Sequence, residues 1–361
     1  MSRAGSIARA GPGMRRVPAR RTVLIIAALG IALAGAAIAS AGIGQLPISP
    51  AQVIESVLAR LGIRSGLDPA AANAESALWT VRFPRVLMAV FVGGALAAAG
   101  LLMQAMFGNP LAEPAIVGVS SGAALGAAGA IVLGLTFAGS WSIAASAFVT
   151  GLATTLVVYF TSRSGRQTEV VTVLLTGIAV NALAQAGLAL FVFLGDTQSR
   201  EDIVFWQLGS LNGSMWAEVS VVAPVTVVAI AVALTLSRRL DLLSLGERGA
   251  RHLGVNVEAL RIGTILLVAL LVSVAVAFTG IIGFVGLVIP HLMRMLIGPA
   301  HGPLLVASVL GGATLLTLAD VAARTLVPYA DLPIGMLTAF IGGPFFFWLL
   351  RRTRASSGGW A

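Results

Sequence analysis

Ten long stretches of this chain carry almost no charge: 22–42, 86–107, 115–136, 141–162, 170–194, 218–237, 262–281, 283–298, 304–323 and 334–350. About 20 apolar residues in an α-helix cross a hydrocarbon core of about 30 Å. Inside lipid the backbone must satisfy its own hydrogen bonds, so runs of this kind become helices. The runs therefore predict an all-α polytopic membrane protein with about ten transmembrane helices. Only 10% of residues are charged, against roughly 25% in a soluble domain. The 42 glycines suit helices that pack through small residues. The eighth run is short and holds Pro290, His291 and Arg294, which makes it the weakest of the ten. Residues 1–21 form a basic tail with six arginines. A basic start and an apolar core also describe a signal peptide, but the length of the run and the spans that follow favour a retained first span. The expected organisation is a tail at 1–21, one transmembrane domain at 22–352 and a short tail at 353–361.

The basic residues narrow the function. All 23 are arginine, with no lysine. A P-loop needs its lysine on the nucleotide phosphates, so any ATP that drives this protein must be bound by another subunit. With no lysine there is no Schiff base, and with no cysteine there is no thiolate nucleophile or thiolate metal site. The net charge of +9 does not indicate nucleic acid, because the arginines lie mostly in short loops beside spans. With ten spans and an inner N-terminus, 17 arginines fall inside and six outside, which predicts that both termini are cytoplasmic. His252, His291 and His301 lack metal-ligand spacing. No HExxH or nucleophile elbow is present. The expectation is a protein without enzymatic activity, metal or cofactor of its own.

Three sets of polar residues stand out against the apolar background. The longest polar island in the second half is Leu240–Arg261, LDLLSLGERGARHLGVNVEALR. Glu247 suits a helix N-terminus and Gly254 a helix stop. Leu245, Ala250 and Leu253 are expected to share one face, either for a partner's groove or as part of a plain solvated loop. Asn256 permits a second short turn. Arg82, Arg85 and Arg324 sit at the expected outer ends of spans, where arginine is disfavoured. They suit carboxylates on a soluble partner or simple helix-end anchoring. Asp320, four residues before Arg324, offers an internal partner. Gln104, Asn181, His291 and Asp320 are costly in lipid and should face the bundle interior or a water-filled path. Gln104 leads into the break Gly108-Asn109-Pro110. Ser49-Pro50-Ala51-Gln52 opens a short helix with a capping box, and Val53, Ile54, Val57, Leu58 and Leu61 share its apolar face.

Several segments resemble the iron-chelate and cobalamin family of ABC-importer permeases. They are VRFPRVLMAVFVGGALAAAGLLMQAMFGNPLAEPAIVGVSSGAALG (81–126), LLTGIAVNALAQA (174–186), FWQLGSLNGSMW (205–216), the 240–261 island, GFVGLVIPHLMRMLIGPAHGPLL (283–305) and residues 318–352. The resemblance implies a BtuC-like type II importer fold in a bacterial inner membrane, with ten spans per subunit. It also implies a homodimer, two cytoplasmic ATPase subunits that bind ATP and Mg, and a substrate-binding protein. By the same resemblance Leu245, Gly246, Glu247, Ala250, Leu253 and Gly254 belong to the segment that couples to the ATPase. Arg82, Arg85 and Arg324 match positions that meet acidic residues of the binding protein. Gln104, Asn109, Glu169, Thr172 and Asn181 are candidates for the translocation path and gate. Val170-Val171-Thr172 departs from the common gate pattern, and Ala300-His301-Gly302 from the usual Asp-His-Arg. GDTQSREDIVFWQLGSL (195–211) resembles the haem-importing branch. An iron complex is expected, haem ahead of siderophore. Cobalamin, or a secondary transporter or channel working alone, are the alternatives.

Overall fold

In a computed structural model of the protein, residues 18–63, 72–135, 138–164, 167–168 and 170–356 are described. The apolar runs form helices. Chain order begins with α1 (Ala19–Gly42), α2 (Pro50–Arg60) and α3 (Ala72–Ala77), which passes through a π-turn at Leu78–Arg82 into α4 (Phe83–Phe107). A 3-10 turn at Pro114–Val117 precedes α5 (Val119–Val132) and α6 (Ser140–Thr161). A two-residue hairpin pairs Arg163 with Thr168 and Ser164 with Gln167. Then come α7 (Val170–Leu194), α8 (Thr197–Leu208), α9 (Trp216–Leu243), α10 (Glu247–His252), α11 (Val257–Thr279), α12 (Val285–Ile297), α13 (His301–Thr325) and α14 (Ile334–Ser356).

The centre of the bundle is α4, against which α9, α11, α12 and α13 pack. Its sequence explains the position. Ala95, Ala97, Ala98 and Ala99 are completely buried, so neighbouring backbones can approach closely. Gly93 faces Gly312 on α13, and Gly100 faces Gly286 on α12. A Cβ at any of these would collide with the opposite backbone. By contrast α7, equally apolar, exposes Val171, Leu175, Ile178, Leu183, Leu190 and Phe193.

The count of about ten full spans is corrected. Among the described residues seven helices are long and apolar enough to cross a membrane, and Val119–Val132, Val285–Ile297 and Ile334–Trp348 are shorter apolar helices. Hydropathy locates these three but overestimates the first two, because backbone breaks are local. The 115–136 run gives its first residues to the 3-10 turn, which closes on Gly118 at φ +81°. The 283–298 run starts late, at Phe284 with φ +67°, and stops at Gly298 with φ +90°. At 1.5 Å per residue its 13 helical residues extend about 20 Å, short of a hydrocarbon core.

Local signals fared better. Ser49 caps α2 as expected, with Gln52 N–H donating to its Oγ and Ser49 N–H donating to Gln52 Oε1. The apolar face of α2 is only partly used: Val53 is buried, while Ile54, Val57 and Leu61 are exposed. Asn256 caps α11 itself, its side chain accepting from Ala259 N–H at 3.0 Å. The expected separate turn at 256–258 is therefore the first turn of the span helix.

Candidate functional site

At one end of the bundle Arg82, Arg85 and Arg324 come together around a cavity of about 530 Å³. Their side chains are held from within the protein. Arg85 Nε donates to Asp320 Oδ1 at 2.9 Å, and its Nη1 reaches Asp331 Oδ2 at 3.0 Å and Asn212 Oδ1 at 3.4 Å. Arg324 pairs with the other Asp320 oxygen at 3.2 Å. It also donates to the Ile43 and Ser40 carbonyls and to Ser40 Oγ. Arg82 donates to the carbonyls of Ala41, Gly42 and Leu46. The last carbonyls of a helix lack intrahelical partners, and here Arg82 and Arg324 supply donors to the end of α1. Asp320 is fully buried and Arg82 and Arg85 are nearly so. Tyr329, also at the cavity, is 97% exposed. Three guanidiniums thus face two carboxylates and a set of carbonyls.

The polar island lies at the opposite end. Gly246, at φ +95°, lets the chain turn out of α9 into α10, and Gly254, at φ +82°, lets it turn back. Gly254 N–H donates to Arg251 O, and Val255 N–H to Ala250 O, closing the C-terminus of α10. Glu247 pairs with Arg251 on α10 and with Arg261 on α11, so the short helix is braced to the longer one. One expectation is corrected here. Leu245 and Leu253 are 67% and 58% exposed, but Ala250 is completely buried and belongs to the core. A six-residue helix turned against α9 and α11 must bury one side. Ala250, lacking a long side chain, is the residue that fits there.

Beside α10 is a second cavity, of about 460 Å³, whose lining includes Gln104, Glu247, Arg261, Arg294 and His301. Asp241, at the end of α9, accepts from the His301 backbone N–H at 2.9 Å and lies 2.7 Å from its Nδ1. This fixes the start of α13 to the end of α9.

The expected path residues are dispersed. Gln104 is buried and its Nε2 donates to the carbonyls of Gly286 and Leu287, at 3.3 and 3.2 Å, tying α4 to α12. Asn109 Oδ1 accepts from Leu111 N–H at 2.9 Å, forming the turn after α4. Asn181 on α7 donates to Ala115 O and accepts from Ser121 Oγ. Thr172 is half-buried in the first turn of α7, and Glu169 lies outside the described residues. Glu113 was not anticipated. Burial pushes its carboxyl above the usual range, and the Phe284 N–H that it accepts pulls it partly back. It joins the turn before α5 to the start of α12. An acidic residue beside a proline, within a break, was the only signal.

The 195–211 segment also has a local structural account. Asp196 caps α8, accepting from Ser199 N–H at 2.8 Å, and those Ser199 hydrogen bonds hold its carboxyl below the usual range. Gln198 donates to Asp202, and Arg200 donates to Val192 O and Phe193 O at the end of α7.

Among the described residues no group of histidines and carboxylates could hold a metal ion. What the chain offers is a membrane bundle with a charged cavity at one end and a short braced helix flanked by Leu245 and Leu253 at the other. Its relatives agree with that reading. A family model described as the FecCD transport family matches residues 20–352. The hemin transport system permease protein HmuU of Yersinia pestis is 41% identical over 294 residues, covering 80% of this chain and 88% of that protein. The cobalamin import system permease protein BtuC of Halobacterium salinarum is 35% identical over 366 residues, covering 93% and 98%. Among solved structures, an inward-facing metal-chelate type ABC transporter superposes with a TM-score of 0.80 at 36% identity, covering 91% of this chain and 99% of that one. The chain therefore belongs to the FecCD transport family of ABC-importer permeases and is a multi-pass, non-enzymatic transport subunit.

Proposed function

We propose that this permease moves an iron complex, haem ahead of a ferric siderophore, into the cytoplasm by alternating access at the interface of a homodimer. The observation that carries the transport reading is the exposed pair Leu245 and Leu253, which flank the short helix that Glu247 braces to α11. Such a helix suits a groove on a partner, and a chain without lysine needs a partner to bind its ATP. Two ATPase subunits, carrying ATP and Mg, grip Leu245, Gly246, Glu247, Leu253 and Gly254 from the cytoplasm, where both termini also lie. Ala250 supports the segment from behind. A substrate-binding protein docks over the cavity ringed by Arg82, Arg85 and Arg324, whose excess of one positive charge over Asp320 and Asp331 favours an acidic partner surface. The exposed apolar side of α7 suits a second copy of the chain and lipid. Gln104, Asn109, Glu169, Thr172 and Asn181 border the path through the interhelical joints and turns around it.

An iron complex is favoured by the 41% identity to a permease named for hemin transport and the equal identity to one named for Fe(3+)-citrate import, and haem by the Asp196, Gln198 and Arg200 pattern. A cobalamin permease that covers more of the chain at 35% identity supplies the second reading. The test is reconstitution in proteoliposomes with the cognate ATPase and binding protein. ATP-dependent accumulation of hemin, read from its Soret band, is the expected result. Accumulation of cobalamin with no hemin or ferric siderophore would overturn the iron assignment. Uptake without ATP or partners would overturn the importer reading.

A further inference from the structure

The inner cavity holds a charge that the protein itself does not balance. Arg294 sits half-buried on α12 and lines this cavity with Glu247, Arg261 and His301. Glu247 is taken by Arg251 and Arg261, and Asp241 by His301. Among the described residues Arg294 has neither an acid partner nor a hydrogen-bond acceptor. Withdrawing a guanidinium from water without an acceptor is unfavourable, and the outer arginines show how this protein avoids it, each on an acid or a carbonyl. The inner cavity also holds a second unused group: Gln104 Oε1 is buried without a donor. Its mouth adjoins Ser244, Gly246 and Glu247, where the exposed Leu245 leads into α10. Met295 and Leu296, next to Arg294, are about half exposed.

We infer that Arg294 is a second contact for the ATPase subunit, receiving one of its carboxylate side chains in the cavity beside α10. This rests on the importer reading above. A protein that grips Leu245 and Leu253 covers the mouth of this cavity, so the carboxylate arrives with the same docking surface. The planar guanidinium can take a carboxylate through two parallel hydrogen bonds. The α12 helix would then be held directly by the ATPase, beside the hold through α10 and α11. Gln104, on the carbonyls of Gly286 and Leu287, would pass a displacement of α12 to the central helix α4.

The experiment compares the full-length permease with its cognate ATPase, co-expressed and purified in detergent. Arg294→Glu should weaken retention of the ATPase about tenfold or more, as loss of a close interfacial charge pair does. Arg294→Lys should keep part of it. Changing acidic residues of the ATPase docking groove to lysine, one at a time, should restore retention to Arg294→Glu for one of them. Should Arg294→Glu fail to fold, Arg294→Gln and the salt dependence of parent assembly give the same readout. Retention by Arg294→Gln equal to the parent, with unchanged salt dependence, would overturn the inference. So would intact retention accompanied by loss of bound anionic phospholipid, measured by native mass spectrometry, since the cavity would then serve lipid. Leu253→Glu serves as the control. If it abolishes retention while Arg294 variants do not, only this inference falls; if neither matters, the assignment of α10 as the ATPase handle falls with it.

Discussion

The two ends of the bundle use charge in opposite ways. At the outer cavity Arg85 and Arg324 share the buried Asp320, and Arg82 is spent on the carbonyls that end α1. At the opposite end the Glu247–Arg261 pair ties α10 to α11, while Glu247, Arg248, Arg251 and His252 stay exposed beside Leu245 and Leu253. Charge at the Arg82 end holds the permease together. At the α10 end one ion pair stiffens the short helix and most of its other charge is exposed.

The largest expected effect breaks the outer half of this contrast. Asp320→Ala leaves Arg85 and Arg324 without their shared buried carboxylate. Removing one partner of a buried ion pair costs about 3–5 kcal/mol, so the detergent-solubilised protein should melt well below the parent. A melting temperature equal to the parent would mean that these arginines are held by water and not by Asp320. Next is Arg82→Ala. Loss of its charge-assisted hydrogen bonds, each worth about 1.5–3 kcal/mol, should free the end of α1. Amide exchange at 42–48 should then rise while exchange in α4 stays slow. On the inner side Leu253→Glu replaces an exposed side chain and should change stability by no more than about 0.5 kcal/mol, while ATPase retention is lost. The smallest effect concerns Glu113. Its folded-state affinity for a proton exceeds that of the unfolded chain, so it favours folding most at low pH. That contribution fades as pH rises from the ordinary carboxylate range to the raised value. Glu113→Gln should flatten the fall in melting temperature over that interval, and an unchanged profile would show that the carboxyl is well solvated.

Much of this architecture was legible because its causes are local. Hydropathy located every long helix, and capping chemistry located the start of α2 through Ser49. Gly254 marked the turn that closes α10. What could not be read depends on distant partners. Asp331 reaches Arg85 across 246 positions, and nothing near either residue announces the pair. Asp320 was visible beside Arg324, yet its second bond to Arg85 was not. Ala250 failed for a related reason: helical spacing groups it with Leu253, but which side of α10 meets α9 and α11 is a tertiary matter. The shortened α5 and α12 failed because a composition window averages over single-residue breaks at Gly118 and Phe284. The Asp196, Gln198 and Arg200 pattern shows the reverse case, a motif read for substrate whose described contacts are a helix cap and a helix end.

The most direct measurement is retention of the cognate ATPase by the parent permease, by Leu245→Glu with Leu253→Glu, and by Arg82→Gln. The double leucine variant should fold as the parent does and lose the ATPase, together with ATP-dependent uptake. Arg82→Gln should be less stable and still retain the ATPase. Undiminished retention by the double leucine variant would contradict the assignment of α10 as the ATPase handle.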